Sequence, residues 1–317
     1  MLKRKLGYTD LELTTIGFGA WAVGGGNWDW GWGVQDDKES IEAIHKAIDL
    51  GINWIDTAPA YGLGHSEEMV KKALQGKRQN VYIATKCGLV WTANSGGKVG
   101  NNLKAASIRK ELEASLTRLG INEIDLYQIH WPFPDEDIEE AWTEIAKFVK
   151  EGKIRYAGVS NCDLGQLKRL QAIHPIASLQ PEYNMFERSV ENDILAYCAK
   201  NQIGVVAYSP MASGLLTGKY TKETVKTLHP EDWRLKYSEH FGAEHFDSNL
   251  AKIEKLVAIA AAEGKSLGEL AVAWVLRRPE ITSAIVGSRR SSQIAQIVPS
   301  GDWVLDPRIV AEIEAIL

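Results

Sequence analysis

Short apolar runs rich in β-branched residues alternate along the chain with stretches whose apolar positions recur every three to four residues. The runs fall at about 15–19, 52–56, 81–86, 124–130, 154–160, 177–180, 204–208 and 283–286. Most are continuous rather than alternating, which is the pattern of strands covered on both faces in a parallel sheet. Between them lie helical stripes. Ile41, Ile44 and Ile48 form one, behind Asp36 and Asp37 as candidate caps. Ile108, Leu112, Leu116 and Leu119 form a second, stopped by Gly120. Ile138, Trp142, Ile145 and Val149 form a third, stopped by Gly152. Leu250, Ile253, Val257 and Ala260 form a fourth. Ahead of all of these, residues 3–13 read as a hairpin turning at 7–10.

Eight strand candidates alternating with helices predict the α/β class and, within it, a (β/α)8 TIM barrel with an N-terminal β-hairpin. An open doubly wound sheet would carry a Gly-x-Gly-x-x-Gly turn after its first strand. Gly17-Phe18-Gly19-Ala20-Trp21-Ala22 lacks the third glycine. Two enlarged loops break the rhythm. One, 21–34, follows strand one and is rich in Gly and Trp. The other, 209–246, follows strand seven and reads as mobile and charged. In a barrel both belong to the carboxyl-terminal face, where active sites sit. With no linker or low-complexity tract, residues 1–317 read as a single domain.

Composition narrows the function by exclusion. A chain of 317 residues that is 45% apolar holds ample core. A net charge of −5 argues against a nucleic-acid partner. No apolar run approaches the roughly 18 residues of a membrane span, and the amino terminus does not read as a secretory signal. Cys87, Cys162 and Cys198 are scattered and lack metal spacing, which fits the cytoplasm. Cys87 reads as packing. His229, His240 and His245 share the second loop with Glu239 and Glu244 but lack zinc spacing, so no metal is expected. One count is high: eleven tryptophans, with Trp21, Trp28, Trp30 and Trp32 close together.

Candidate chemistry sits where strands end. Asp56 ends strand two, with Tyr61 five positions on; Lys86 ends strand three and His130 strand four. A barrel would converge these side chains at one mouth. A buried Lys ammonium beside a Tyr is expected to lower the phenol's pKa, and an Asp to keep that Lys charged. A His could then donate a hydrogen bond to a substrate oxygen. The set has no metal and no obvious nucleophile, so a cofactor would have to supply a hydride. Lys86 could instead act as a Schiff-base nucleophile in a lyase. Asp56 argues against that by keeping it protonated.

These residues stand in motifs that resemble the aldo-keto reductase family over essentially the whole chain. Asp56-Thr57-Ala58-Pro59-Ala60-Tyr61-Gly62 with Gly64, Ser66 and Glu67 is similar to the family's first motif. Lys86, His130 in Gln-Ile-His-Trp-Pro, Gly158-Val159-Ser160-Asn161, Gln180-Pro181-Glu182-Tyr183-Asn184 and Tyr208-Ser209-Pro210 follow in order. The resemblance implies carbonyl reduction to an alcohol by hydride transfer from nicotinamide C4. Tyr61 would be the general acid, Lys86 its tuner, Asp56 the partner of Lys86 and His130 the orienting donor. It implies that Ser160, Asn161 and Gln180 hold the carboxamide and that Tyr208 stacks on the nicotinamide. Ala20, Trp21, Asp56, Ser209, Pro210, Gly214, Leu215 and Gly218 would complete the dinucleotide site.

In the same terms, Gly287, Ser288, Arg289 and Gln293 would meet the adenosine end. Ser288 and Arg289 facing a 2′-phosphate favour NADPH over NADH. The short Gly-Ser-Arg form is similar to a bacterial, channel-subunit-like branch. That branch keeps open a second reading, a nucleotide-binding regulatory or sensor subunit with vestigial catalysis. Trp21, Trp28, Tyr61, Trp91, His130 and Trp131 are the expected substrate-binding residues. Trp30, Trp32 and Trp233 are expected on the same face. An aromatic pocket favours apolar or aromatic carbonyl compounds. Partners would be that small molecule alone, in a monomer or small homo-oligomer.

Overall fold

The computed structural model of the chain describes residues 1–26, 28–228 and 232–317. Strands β1 (Lys3–Lys5) and β2 (Glu12–Thr14) pair antiparallel as the expected hairpin. Then come β3 (Ile16–Gly19), β4 (Trp54–Asp56), β5 (Tyr82–Cys87), β6 (Leu89–Val90), β7 (Gly100–Asn101), β8 (Ile124–Ile129), β9 (Ile154–Ser160), β10 (Ser178–Gln180), β11 (Gly204–Ala207) and β12 (Ile281–Gly287). Strands β6 and β7 make a small antiparallel ribbon. The other eight close in parallel, in the order β3-β4-β5-β8-β9-β10-β11-β12 and back to β3. This is the (β/α)8 barrel, and every run named from the sequence is one of its strands.

Helices α1 (Asp37–Asp49), α2 (His65–Ala73), α3 (Ala105–Leu119), α4 (Ile138–Lys150), α5 (Leu164–Gln171) and α6 (Ile194–Lys200) follow in chain order. After β11 come α7 (Lys222–Val225), α8 (Trp233–Tyr237), α9 (Ala243–Ala262) and α10 (Leu267–Leu276). After β12 come α11 (Ser291–Ile297) and α12 (Pro307–Glu314). The caps follow local chemistry. Asp36 accepts from the Glu39 amide at the start of α1, and Gly120 ends α3 in a left-handed conformation at φ +66°. Two expectations change. The fourth stripe actually buries Ile253, Leu256 and Ala260, while Val257 is turned outward and 41% exposed. A 3.6-residue period brings Leu256 round to the core in its place. The second loop, expected to be mobile, folds into α7, α8 and short 3-10 turns instead of running as open chain.

Alternation along each strand decides what faces the barrel interior. On β4, Trp54 and Asp56 point inward while Ile55 joins the outer core beneath the helices. On β5, Ala84 and Lys86 point inward while Ile83 and Cys87 join that outer core. The lower interior is apolar: hairpin residues Leu6, Leu11 and Leu13 pack with Trp54, Ala84, Leu126, Ala177, Val206 and Ile285. Two glycines make room. A Cβ on Gly17 would lie 2.1 Å from the Trp54 ring, and one on Gly158 would lie 2.3 Å from Ser178 Oγ. The hairpin closes this end, so the polar layer above (Asp56, Lys86, Gln128, Ser178 and Gln180) opens only toward the carboxyl ends of the strands.

Candidate active site

Lys86 carries the site. Strand register pairs Asp56 with Ala84, so Lys86 stands two residues higher and bends across the top of β4. Its Nζ donates to Asp56 Oδ1 at 2.5 Å, to the Thr57 carbonyl at 3.0 Å and to the Tyr61 hydroxyl at 3.1 Å. All three donor positions of the ammonium are filled, and the side chain is fully buried. Asp56 Oδ2 accepts from Gln180 Nε2 at 2.8 Å, with Gln128 Nε2 at 3.4 Å. Tyr61 comes from the loop between β4 and α2. Ser66 pins that loop, bonding Thr57 Oγ1 and the Ala20 carbonyl. His130 follows β8, and its ring meets Tyr61 edge-on with centroids 5.6 Å apart.

The electrostatics correct one expectation. Lys86 was expected to lower the Tyr61 pKa, yet burial and the nearby Asp56 carboxylate hold it well above the ordinary tyrosine range. A phenolate there would lose its hydration and face a second anion, and one shared ammonium does not offset both. Burial also pulls Lys86 down, opposed by Asp56 and then Glu67. His130 is pushed well below the ordinary histidine value by burial and then by Lys86. The resting site therefore holds a protonated phenol and a neutral imidazole, both able to donate.

Above them lies a cavity of about 930 Å³. Trp21, Trp28, Asp56, Tyr61, His130, Trp131, Ser160, Asn161, Gln180, Tyr208, Ser209, Pro210, Gly214, Gly287, Ser288, Arg289 and Gln293 line it. Five expected residues do not. Lys86 lies beneath the wall and reaches it only through Asp56 and Tyr61. Ala20 is buried behind it, its carbonyl holding Ser66. Leu215 is buried in the core, and Gly218 faces Val257 and Leu267. Trp91 points away, under the Arg118 guanidinium at 5.9 Å. His229 lies outside the described residues. Cys162 is buried.

The cavity has two chemically different ends. At one, Lys219, Arg234, Arg289 and Arg290 gather. Burial, then Arg234 and Arg289, lower the Lys219 pKa, while Arg234 is itself paired with Asp232 at 2.5 Å and Arg290 with Glu39 at 3.4 Å. Arg289 is held by Gln35 at 2.6 Å, and its amide donates to Gln293 at 2.9 Å. The wall between the ends is strained. Asn161, Ser209 and Ser213 all adopt positive φ, at +60°, +52° and +56°. Such backbone persists where surrounding structure over-determines it, and it clusters at functional sites. Tyr208 OH donates to Asn161 Oδ1 at 2.9 Å, and Asn161 Nδ2 donates to the His130 carbonyl at 3.0 Å. The other end is aromatic, with Trp21, Trp28, Trp30, Trp32, Trp131 and Trp233.

The sequence reading missed Gln128 and Arg234. Gln128 was legible, because it stands two residues before His130 and so on the same strand face. Arg234 carried no signal, since it lies in a long connection with no strand register.

Known proteins share this fold. The model of the Aldo/keto reductase family matches residues 15–317. The chain is 40% identical over 312 residues to the aldo-keto reductase YhdN of Bacillus subtilis, covering 98% of this chain and 91% of that one. It is 35% identical to the NADH-specific methylglyoxal reductase of Escherichia coli, covering 94% and 93%. Its structure superposes on the glycerol dehydrogenase AKR11B4 of Gluconobacter oxydans with a TM-score of 0.90 at 38% identity, over 99% of this chain and 94% of that one. The fold and the site thus define a nicotinamide-dependent barrel oxidoreductase. The chain belongs to the aldo/keto reductase family.

Proposed function

We propose that the protein is an NADPH-dependent reductase of aldehydes and ketones, acting as one catalytic domain in the cytoplasm, as a monomer or small homo-oligomer. The observation that carries this is Lys86 Nζ lying 2.5 Å from Asp56 and 3.1 Å from the Tyr61 hydroxyl, at the floor of a cavity with a cationic far end. The donor set fits a dinucleotide. Arg289 and Lys219 suit its phosphates, and the Tyr208 ring with Ser160, Asn161 and Gln180 suits an aromatic carboxamide. Arg289 beside Ser288 supports NADPH over NADH, although one relative is named as NADH-specific. The Gly287-Ser288-Arg289 turn also supports a place near the channel-subunit-like branch.

When bound, the nicotinamide supplies the hydride. The chain does the rest. Tyr61 and the neutral His130 donate to the carbonyl oxygen and orient it. Tyr61 holds its proton until that oxygen gains charge, then releases it. The Lys86 ammonium stabilises the phenolate left behind, and Asp56 keeps Lys86 charged. The aromatic end excludes water.

Consumption of NADPH and NADH across aldehydes, ketones and sugars, with Tyr61→Phe alongside, tests this reading. Turnover with NADPH that falls at least about 100-fold in Tyr61→Phe, with nucleotide binding retained, is expected. Unchanged turnover in the variant overturns the role of Tyr61. Tight nucleotide binding with no turnover favours a regulatory subunit.

A further inference from the structure

The aromatic end contains an asymmetry that the reaction does not explain. Trp21 stacks with Tyr61, centroids 6.2 Å apart at 20°, and with Trp233, centroids 5.3 Å apart at 26°. Trp32 leans on the same Trp21 ring at 5.8 Å. Two of these indoles are anchored: Trp21 Nε1 donates to the Trp30 carbonyl and Trp28 Nε1 to the Gly25 carbonyl, both at 3.0 Å. Trp32 Nε1 and Trp233 Nε1 are buried and have no hydrogen-bond partner among the described residues. A buried donor without an acceptor is rare in folded proteins and points to a missing partner.

The two unpaired indoles are also mechanically joined. Arg234, next to Trp233 on α8, lies over the Trp32 ring at 4.9 Å and bonds Asp232 and Tyr220. Trp32 comes from the connection after β3 and Trp233 from the connection after β11. Together they close the aromatic end from opposite sides of the chain. The spacing between Trp21 and Trp233 is too small for another ring to enter, since a ring sandwiched between two others needs about 3.5 Å on each side. A flat substrate that enters between Trp21 and Trp233 would therefore separate this stack and uncover the indole N–H groups beside it.

We infer that Trp32 and Trp233 determine specificity, selecting planar carbonyl substrates that carry a second, uncharged oxygen acceptor remote from the reacting carbonyl. This rests on the reductase reading above. The recognised chemistry is an aryl aldehyde or ketone bearing a hydroxyl or ether oxygen. The stacked rings hold the flat body, and the indole N–H groups take the acceptor. Each N–H then gains the partner it lacks, and that gain is available only to a substrate with the extra oxygen.

Matched substrate pairs test this. The full-length protein would be assayed with 3- and 4-methoxybenzaldehyde and, as isosteres without the acceptor, 3- and 4-ethylbenzaldehyde. The wild type, Trp233→Phe and Trp32→Phe would be compared, because phenylalanine keeps a ring and removes the N–H. The wild type is expected to favour a methoxy compound over its ethyl partner in kcat/KM. That ratio is expected to fall about fivefold in at least one Phe variant, the worth of one net hydrogen bond. Comparing ratios between proteins cancels the electronic difference between the aldehydes, and a purely structural role would lower both rates together. NADPH binding, read by nucleotide fluorescence, checks that each variant is folded. Ratios unchanged in both folded variants overturn the inference while leaving the reductase reading intact. A wild type that reduces none of the four but turns over other aldehydes, ketones or sugars overturns the inference alone, whereas no turnover on any carbonyl compound overturns the reductase reading and the inference with it.

Discussion

Gln180 donates its amide to Asp56 Oδ2 at 2.8 Å, joining two strands that stand apart in the barrel. The opposite oxygen of the same carboxylate holds Lys86. An amide expected to serve a cofactor therefore also orients the carboxylate that positions the ammonium. Removing it leaves a buried oxygen with only the longer contact from Gln128. Gln180→Leu is expected to lower unfolding stability by about 2 kcal/mol, the scale of a hydrogen bond to a buried charge. It is also expected to lower kcat, because Lys86 loses its fixed partner. Urea unfolding at pH 7 beside steady-state rates checks both. Wild-type stability in the variant would mean that water or Gln128 suffices.

Arg289 sits at the cationic end with its guanidinium already oriented by Gln35. Arg289→Met should weaken NADPH binding about 10- to 100-fold, since a charge-assisted contact to phosphate is lost, and should change NADH binding far less. Fluorescence titration with each nucleotide measures this. Equal weakening of both would remove Arg289 from any role at a 2′-phosphate.

Two partly buried carboxyls away from the Lys86 cluster make stability depend on pH. Glu111 accepts from the Gly88 amide at 2.8 Å, and burial pushes its pKa up to about 7. Glu182 is pushed up to about 7 by burial and then by Glu187. A folded-state pKa above the unfolded value gives stability that is full below about pH 4.5 and is lost as pH rises through about 7. The wild type should thus be less stable at pH 8 than these groups allow at pH 5. Glu111→Gln keeps an oxygen for Gly88 and cannot ionise, so it should recover about 1–3 kcal/mol at pH 8 relative to pH 5. Chemical unfolding at the two pH values decides it. An identical pH slope in variant and wild type would show that Glu111 does not titrate there.

Much of this molecule is legible one-dimensionally, for a simple reason. Barrel strands are buried on both faces, so they appear as apolar runs, and their inward residues follow a period of two. The ends of the strands place Asp56 and Lys86 at one barrel mouth, while Gln180 stands out in the sequence only through its motif. His130 follows directly, one residue past its strand. The left-handed stop at Gly120 and the cap at Asp36 are equally local.

Three things were settled only in three dimensions. The sign of the Tyr61 pKa depends on how deeply the ring is buried and how near Asp56 lies, and neither distance is written in the chain. The double use of Gln180 depends on strand register across the barrel. The arrival of Trp233 and Arg234 at one cavity depends on how a connection without periodic pattern folds back over the barrel mouth. Patterns of two and 3.6 residues report the faces of regular elements, so sequence determined the barrel and the floor of its site. Loops have no such period, so only tertiary packing decided which tryptophans close the pocket and which, like Trp91, turn away.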